Sequence, residues 1–164
     1  MHLGATTPSF DLETEEDATF PTEHITEELI RKVLLQFTGD ILQTPPMFSA
    51  VKVQGKRAYE LARTGQEVEL KSKHVFIDEI ELMQCDLENK QIVIRVVCSK
   101  GTYIRSLARD IGIALNSGAY LTDLCRTRIG EYKLADCLDI ETFDTWLDGQ
   151  DIRIMNEQSA TADK

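Results

Sequence analysis

The sequence has no apolar run approaching the roughly 20 residues that a helix needs to cross a bilayer. Its first ten residues, MHLGATTPSF, also lack the basic region and apolar core that mark a secretory signal. The four cysteines form no Cys-x-x-Cys pair, and no histidine stands at zinc-finger spacing from them. These absences argue against a membrane protein, a disulfide framework and a metal site. They predict a cytoplasmic protein whose four thiols are reduced and mostly packed.

Basic residues are in the minority, and the formal net charge of -10 argues at first against a nucleic-acid partner. The charge is unevenly distributed, however. Residues 1–30 carry eight acids and no lysine or arginine, whereas residues 31–130 carry 15 basic and 11 acidic residues. A short segment of this middle part fits either a phosphate-facing patch or a solvated face with paired charges. Its basic residues are Lys52, Lys56, Arg57, Arg63, Lys71 and Lys73.

Neither an internal repeat nor an interdomain linker is present, and 164 residues suit one domain with its own core. The stretch TEELIRKVLLQFTG from Thr26 has apolar residues on one stripe and predicts a helix that Gly39 stops. Pro45 and Pro46 predict an extended, exposed loop or arm, followed by a short helix in AYELAR. Two alternating runs joined by a polar turn at residues 88–90 predict antiparallel strands.

The second half of the chain predicts a further helix and then short elements. The helix follows Gly101 and places Arg105 and Arg109 beside its buried stripe. After Gly118 we expect a helical turn or two through Leu124 and then a strand. DIETFDTWL predicts a last short helix, and the polar tail at residues 151–164 predicts disorder.

The residues best suited to catalysis or ligand binding lie in CSKGTYIRSLARDIG, residues 98–112. The apolar strand IVIRVV leads into a small turn, and the helix that follows carries Arg105 in its first turns. A helix N-terminus beside a guanidinium is an anion site. A phosphate, a substrate carboxylate and an aspartate elsewhere in the chain all fit as the anion, and the residues alone leave the three open.

Two phosphate-binding interpretations of this stretch are weak. A cysteine phosphatase has five residues between its nucleophilic Cys and its Arg, but six separate Cys98 from Arg105. The extra residue turns the arginine by about 100° around a helix of 3.6 residues per turn, so we expect Cys98 to be a packed thiol. A phosphate-binding turn at SKGT, with Lys100, lacks the glycines and the Lys-Ser/Thr order of a nucleotide-binding loop.

Three blocks of the sequence resemble a known family. LGATTPSFD, QTPPMFSAVKVQGKRAYELARTG and CSKGTYIRSLARDIGIALNSGAYLTDLCRTRIG are similar, in the same order across residues 3–135, to the bacterial TruB-type tRNA pseudouridine synthases. The resemblance implies a mixed α/β fold of the α+β type, with a largely antiparallel sheet and flanking helices. It also implies an enzyme that isomerises a uridine in the T-loop of transfer RNA, with the T-arm stem-loop as partner and neither metal nor cofactor.

The resemblance implies roles for individual residues as well. Arg105 matches the arginine that pairs with the catalytic aspartate, and Leu124 matches a leucine of the uracil pocket. Residues 40–65 match a thumb-like arm that grips RNA. The candidate RNA contacts are Lys52, Lys56, Arg57, Arg63, Lys100 and Arg126. The candidates for base stacking or internal packing are Phe48, Tyr59 and Tyr103.

The catalytic aspartate of this family, in a Gly-x-Leu-Asp block, has no match in this sequence. We weighed three aspartates as substitutes and expect turn or strand structure for Asp11, a local ion pair for Asp110 and a helix end for Asp148. By the order of the blocks the catalytic one would precede Met1.

We therefore expect residues 1–150 to be part of an N-terminally truncated pseudouridine synthase catalytic domain, inactive by itself and without an extra C-terminal RNA-binding domain. The alternative is a catalytically silent RNA-binding module or RNA chaperone that begins at Met1. The oligomeric state stays open.

Overall fold

The computed structural model describes residues 1–49, 52–53, 56–58 and 70–150. The chain divides into two compact units, residues 1–124 and residues 125–164, and each is considered by itself. In the described part of the chain, no helix has both the length and the hydropathy that crossing a membrane requires.

The first unit is built on antiparallel strands. They are β1 (His2–Leu3), β2 (Ala5–Thr6), β3 (Ala18–Thr19), β4 (Gly39–Gln43), β5 (Lys52–Val53), β6 (Lys56–Arg57), β7 (Lys73–Asp86), β8 (Gln91–Cys98) and β9 (Ala119–Tyr120). Five of them form one sheet in the spatial order β4, β7, β8, β1, β9. The pairs β2–β3 and β5–β6 form two small ribbons.

The hairpin of β7 and β8 confirms the two strands predicted from alternation. Val75, Ile77 and Leu82 of β7 and Ile92 of β8 are buried, whereas the residues between them on β7 are exposed or half-buried. On either side of a register irregularity between Ile77 and Glu79, the period of two that the sequence shows separates a core face from a solvent face.

The first predicted helix is also confirmed, as α1 (Glu27–Leu34). The hydroxyl of Thr26 accepts a hydrogen bond from the amide of Leu29 at 3.2 Å and caps the helix. A 3₁₀ turn over Leu35–Phe37 follows. Gly39 then begins β4 with φ of 93°, a conformation that glycine adopts without a steric penalty.

The second predicted helix is α2 (Ile104–Ala114), and its apolar stripe packs into the core against the sheet and α1. A Cβ placed on Gly112 would stand 2.4 Å from the amide nitrogen of Ala119, so the helix lies directly on the backbone of β9. The buried members of the stripe are Leu107, Ala108, Ile111 and Leu115.

The helical turn expected between Gly118 and Leu124 is wrong. Ala119 and Tyr120 instead form β9, because they pair with Leu3 and His2 of β1. The backbone groups that a helix would satisfy locally are here satisfied by a strand more than 100 residues away in the sequence. No local pattern contains that information.

Two expectations about exposure also need correction. Residues 44–46 are irregular, as the prolines require, but Pro45 and Pro46 are buried rather than exposed. Cys85 and Cys98 are half-buried, whereas Cys125 and Cys137 are exposed, so only two of the four free thiols are packed.

The second unit contains a hairpin and a short helix. β10 (Arg128–Ile129) pairs with β11 (Tyr132–Lys133), and Gly130 has φ of 58° in the turn between them. α3 (Phe143–Asp148) confirms the last predicted helix.

The predicted mixed α/β class, with a largely antiparallel sheet and flanking helices, is confirmed. Within the predicted arm, the register pairs Lys52 with Arg57. Tyr59, Arg63 and the rest of the segment to residue 69 lie outside the described residues, as does the tail at 151–164 that was predicted to be disordered.

Candidate active site and RNA-binding surface

Arg105 in the first turn of α2 has a carboxylate partner within the chain. Its Nη1 donates to Oδ2 of Asp11 at 2.8 Å, and its Nη2 donates to the carbonyl of Phe48 at 2.8 Å. The carboxylate of Glu13 lies 4.0 Å from the same Nη1. The side chains of Arg105 and Asp11 are 23% and 24% exposed. Of the three anions that the sequence left open, the structure shows the aspartate.

Asp11 is itself held by its neighbours. Its Oδ1 accepts from the amide of Glu13 at 2.9 Å, and its carbonyl accepts from the hydroxyls of Thr7 and Ser9. Burial alone would raise the pKa of Asp11, but Ser9, the Glu13 amide and Arg105 together hold that pKa below its usual value. The carboxylate is therefore ionised, and both of its oxygens are engaged. This arrangement suits a residue that positions Arg105, and it agrees with the turn role expected for Asp11.

The loop that carries Asp11 is tied to the end of the sheet. Phe10 has φ of 63°, which is uncommon for a residue with a side chain, and its amide donates to the carbonyl of Thr7. The carbonyl of Phe10 accepts from the amide of Leu121 at 2.9 Å, and Asp11 makes a parallel bridge with Leu121. These bonds fix the loop so that Asp11 reaches α2.

A buried glutamine joins β4 to the start of α2. Gln43 is fully buried, and its amide group donates to the carbonyl of Tyr103 at 3.1 Å and accepts from the Tyr103 amide at 2.8 Å. The hydroxyl of Ser106 donates to the carbonyl of Thr44 at 2.8 Å. Together with the bond from Arg105 to Phe48, these contacts fasten residues 43–48 to α2.

Sequence reasoning singled out Arg105 but missed Gln43 and Ser106. A signal for Gln43 exists: alternation along β4 puts it on the same face as Ile41, where an apolar residue is expected. A polar side chain in a core position needs hydrogen-bond partners, and so indicates a structural or functional contact.

The ring of Tyr103 makes a cation–π contact with a lysine. The ammonium nitrogen of Lys73 lies 4.7 Å from the ring centroid. A Cβ placed on Gly101 would stand 3.2 Å from that nitrogen, so the ammonium lies beside the turn between β8 and α2. Lys100 in the same turn is exposed. One face of the Tyr103 ring is therefore used by this contact.

The remaining candidates are in different environments. Phe48 is half-buried, and Leu124 is 57% exposed, which rules out a core role for that leucine. Arg126 is exposed and belongs to the second unit. The described part of the chain brings together no group of three side chains able to hold a metal ion. Only the backbone of Lys52, Lys56 and Arg57 is described.

The other aspartates behave as expected. Asp110 accepts from Arg109, its neighbour in the chain, at 2.7 Å, which is the local ion pair predicted. Burial raises the pKa of Asp110, and the pairing with Arg109 opposes that shift. Asp148 ends the short helix α3 and is exposed.

The chain is similar to several known proteins. The model of the TruB family pseudouridylate synthase (N terminal domain) matches residues 1–104. The tRNA pseudouridine synthase B of Phocaeicola vulgatus is 65% identical over 158 residues, which cover 96% of this chain and 66% of the relative. The protein of the same name from Francisella tularensis subsp. novicida is 42% identical over 166 residues, covering 100% of this chain and 54% of the relative.

This chain thus spans just under two thirds of the length of the Phocaeicola vulgatus relative. A chain in the crystal structure of a Cbf5–Nop10–Gar1 complex superposes with a TM-score of 0.55 and 31% identity, over 77% of this chain and 34% of that one. Because the family model matches well over half of the residues, the chain belongs to the TruB family of pseudouridylate synthases.

Proposed function

We propose that this chain works in a tRNA pseudouridine synthase, which converts a uridine in the T-loop of transfer RNA to pseudouridine in the cytoplasm. The relatives named tRNA pseudouridine synthase B, at 42% to 65% identity, support this assignment. The observation that carries it is the placement of Arg105, partly buried beside the carboxylate of Asp11 and bonded to the carbonyl of Phe48 in the predicted arm.

The guanidinium of Arg105 has capacity for a further carboxylate. An arginine presents five N–H donors in a planar fork, and among the described residues no group accepts from its Nε. Asp11 holds one side of the fork in place. A catalytic aspartate that approaches the other side would be kept ionised and oriented for attack, because the cation stabilises the charged form.

The proposed reaction then follows from the chemistry of the nucleoside. The target uridine leaves its stack, at a cost of a few kcal/mol that phosphate contacts and stacking offset. The carboxylate attacks C1′ of the ribose as the C1′–N1 bond breaks, and the uracil then turns. Its C5 displaces the carboxylate from C1′, after which the C5 proton is lost and N1 takes up a proton. The exposed side chain of Leu124 is proposed to line the uracil pocket.

The RNA-binding surface is proposed to include Lys100 and the arm. A phosphate backbone is recognised mainly by lysine and arginine, and the exposure of Lys100 and Arg126 is compatible with that use. Lys52, Lys56, Arg57 and Arg63 remain the proposed contacts of the arm, and Phe48 and Tyr59 its candidates for packing or stacking.

Pseudouridine formation in a T-arm stem-loop RNA tests the proposal. This chain is compared with a version extended upstream through its natural reading frame, and the extended version is also made with Arg105→Met. We expect product only from the extended protein, and loss of product with Arg105→Met. Product from the 164 residues alone would show that they contain the catalytic aspartate. Absence of product from both proteins, with RNA binding retained, would favour the RNA-binding module instead.

A further inference from the structure

We propose that Lys73 is a further RNA phosphate contact whose ammonium is held in place by the ring of Tyr103. This inference rests on the proposed function, because it names a contact within the same RNA-binding surface. Lys73 lies outside the arm, at the first position of the long strand β7.

Three fixed elements determine where the ammonium lies. The register pairs Lys73 with Gln43 on β4, and the buried Gln43 side chain bonds both backbone groups of Tyr103. The ring of Tyr103 then lies 4.7 Å from the Lys73 ammonium. The turn at Gly101 flanks the same nitrogen. The Lys73 ammonium therefore lies near the start of α2, beside Tyr103, which is two residues before Arg105 in the sequence.

Lys73 differs in its ion pairing from four arginines of the described residues. Arg31, Arg95, Arg105 and Arg109 each have a carboxylate oxygen within 3.2 Å. Within the described residues, Lys73 has no such partner.

Two other lysines lie near Lys73, one along the chain and one in the adjoining turn. Lys71, two residues before Lys73, and Lys100, in the turn that contains Gly101, are exposed, and Asp40 on the adjacent strand pairs with His74. Lys71, Lys73 and Lys100 therefore place three basic residues in and beside this turn.

A cation over an aromatic ring is suited to bind a phosphodiester. The ring attracts one side of the ammonium, while the remaining N–H donors stay available to solvent or to a ligand. Ordering the long lysine side chain before RNA arrives lowers the entropy that must be lost on binding. A phosphate of the bound RNA near the start of α2 would then meet Lys73 and Lys100 together.

RNA-binding measurements over a range of salt concentrations test this contact. The affinity of the chain for a fluorescent T-arm stem-loop is measured by anisotropy, for the unsubstituted chain and for Lys73→Met. Losing one phosphate contact should weaken binding about fivefold at 0.15 M salt and lower the slope of log K against log salt by about 0.7 to 0.9. Lys73→Gln removes the same charge and should change the affinity and the salt slope by the same amounts. Unfolding in urea verifies that both variants fold.

Lys90→Met is the matched control, because it removes the same charge at the far end of the β7–β8 hairpin. A strand of 14 residues separates the two positions by about 45 Å. Lys90→Met should leave both the affinity for the RNA and the slope of log K against log salt unchanged. Tyr103→Leu, which removes the ring that holds the ammonium, should weaken RNA binding, and adding Lys73→Met to that variant should then weaken it little further.

The outcomes separate this inference from the proposed function. Equal affinity and slope for Lys73→Met and the unsubstituted chain would overturn the contact and leave the synthase assignment intact. Absence of pseudouridine from the extended protein, with the Lys73 effect present, would overturn the assignment and support the contact. Failure of the unsubstituted chain to bind the RNA would overturn the contact, and product from the extended protein would then decide the synthase assignment by itself.

Discussion

Replacing Asp11 with asparagine removes the charge that faces Arg105 while keeping the size of the side chain. A hydrogen bond that involves charged groups contributes about 1.5 to 3 kcal/mol to stability. Both side chains are about one quarter exposed, and the amide oxygen of asparagine still accepts one bond. We therefore expect Asp11→Asn to lower the free energy of unfolding by about 1 to 2 kcal/mol at pH 7, measured by urea denaturation.

The effect should depend on pH in a defined direction. The pKa of Asp11 is lowered in the folded state, so its stabilisation is fully present above the unfolded pKa of about 3.9. That stabilisation is lost as the pH falls through the lower folded pKa, because the protonated carboxyl no longer carries charge. The difference in free energy of unfolding between Asp11→Asn and the unsubstituted chain should therefore become smaller in acid.

Asp17→Asn is the matched control, since Asp17 is exposed and accepts one bond from the hydroxyl of Thr6 at 2.6 Å. It should change the free energy of unfolding by no more than about 0.5 kcal/mol. Equal stability of Asp11→Asn and the unsubstituted chain at pH 7 would refute the reasoning. A difference that persists unchanged in acid would show that the charge of Asp11 is not its cause.

Three further substitutions test the packing that supports the site, each measured by urea denaturation. Thr26→Ala should cost about 1 kcal/mol, because a first-turn amide of α1 loses its side-chain acceptor. Gln43→Leu should cost at least about 2 kcal/mol, because both backbone groups of Tyr103 lose their partners. Gly118→Ala should cost about 2 kcal/mol or more, because its Cβ would stand 2.8 Å from the carbonyl oxygen of Ala5. Stabilities equal to that of the unsubstituted chain would contradict these assignments.

The elements that could be predicted are those whose signals are local. The stripe of α1, its cap at Thr26 and the alternation of β7 and β8 each lie within one stretch of sequence. The resemblance likewise singled out Arg105 from the residues around it. β9 was missed because its partner strand, β1, begins more than 100 residues earlier.

The sequence by itself determined the mixed α/β class, the main helices and strands, and the family to which this chain belongs, because periodicity and motifs are readable along a chain. Only the tertiary structure decided what surrounds Arg105. Asp11 is 94 residues away and Phe48 is 57 residues away, and the Gln43 side chain reaches across 60 residues to hold Tyr103. Such contacts depend on the packing of β4, the loop at Asp11 and α2 against one another, and no neighbouring residue in the sequence encodes them.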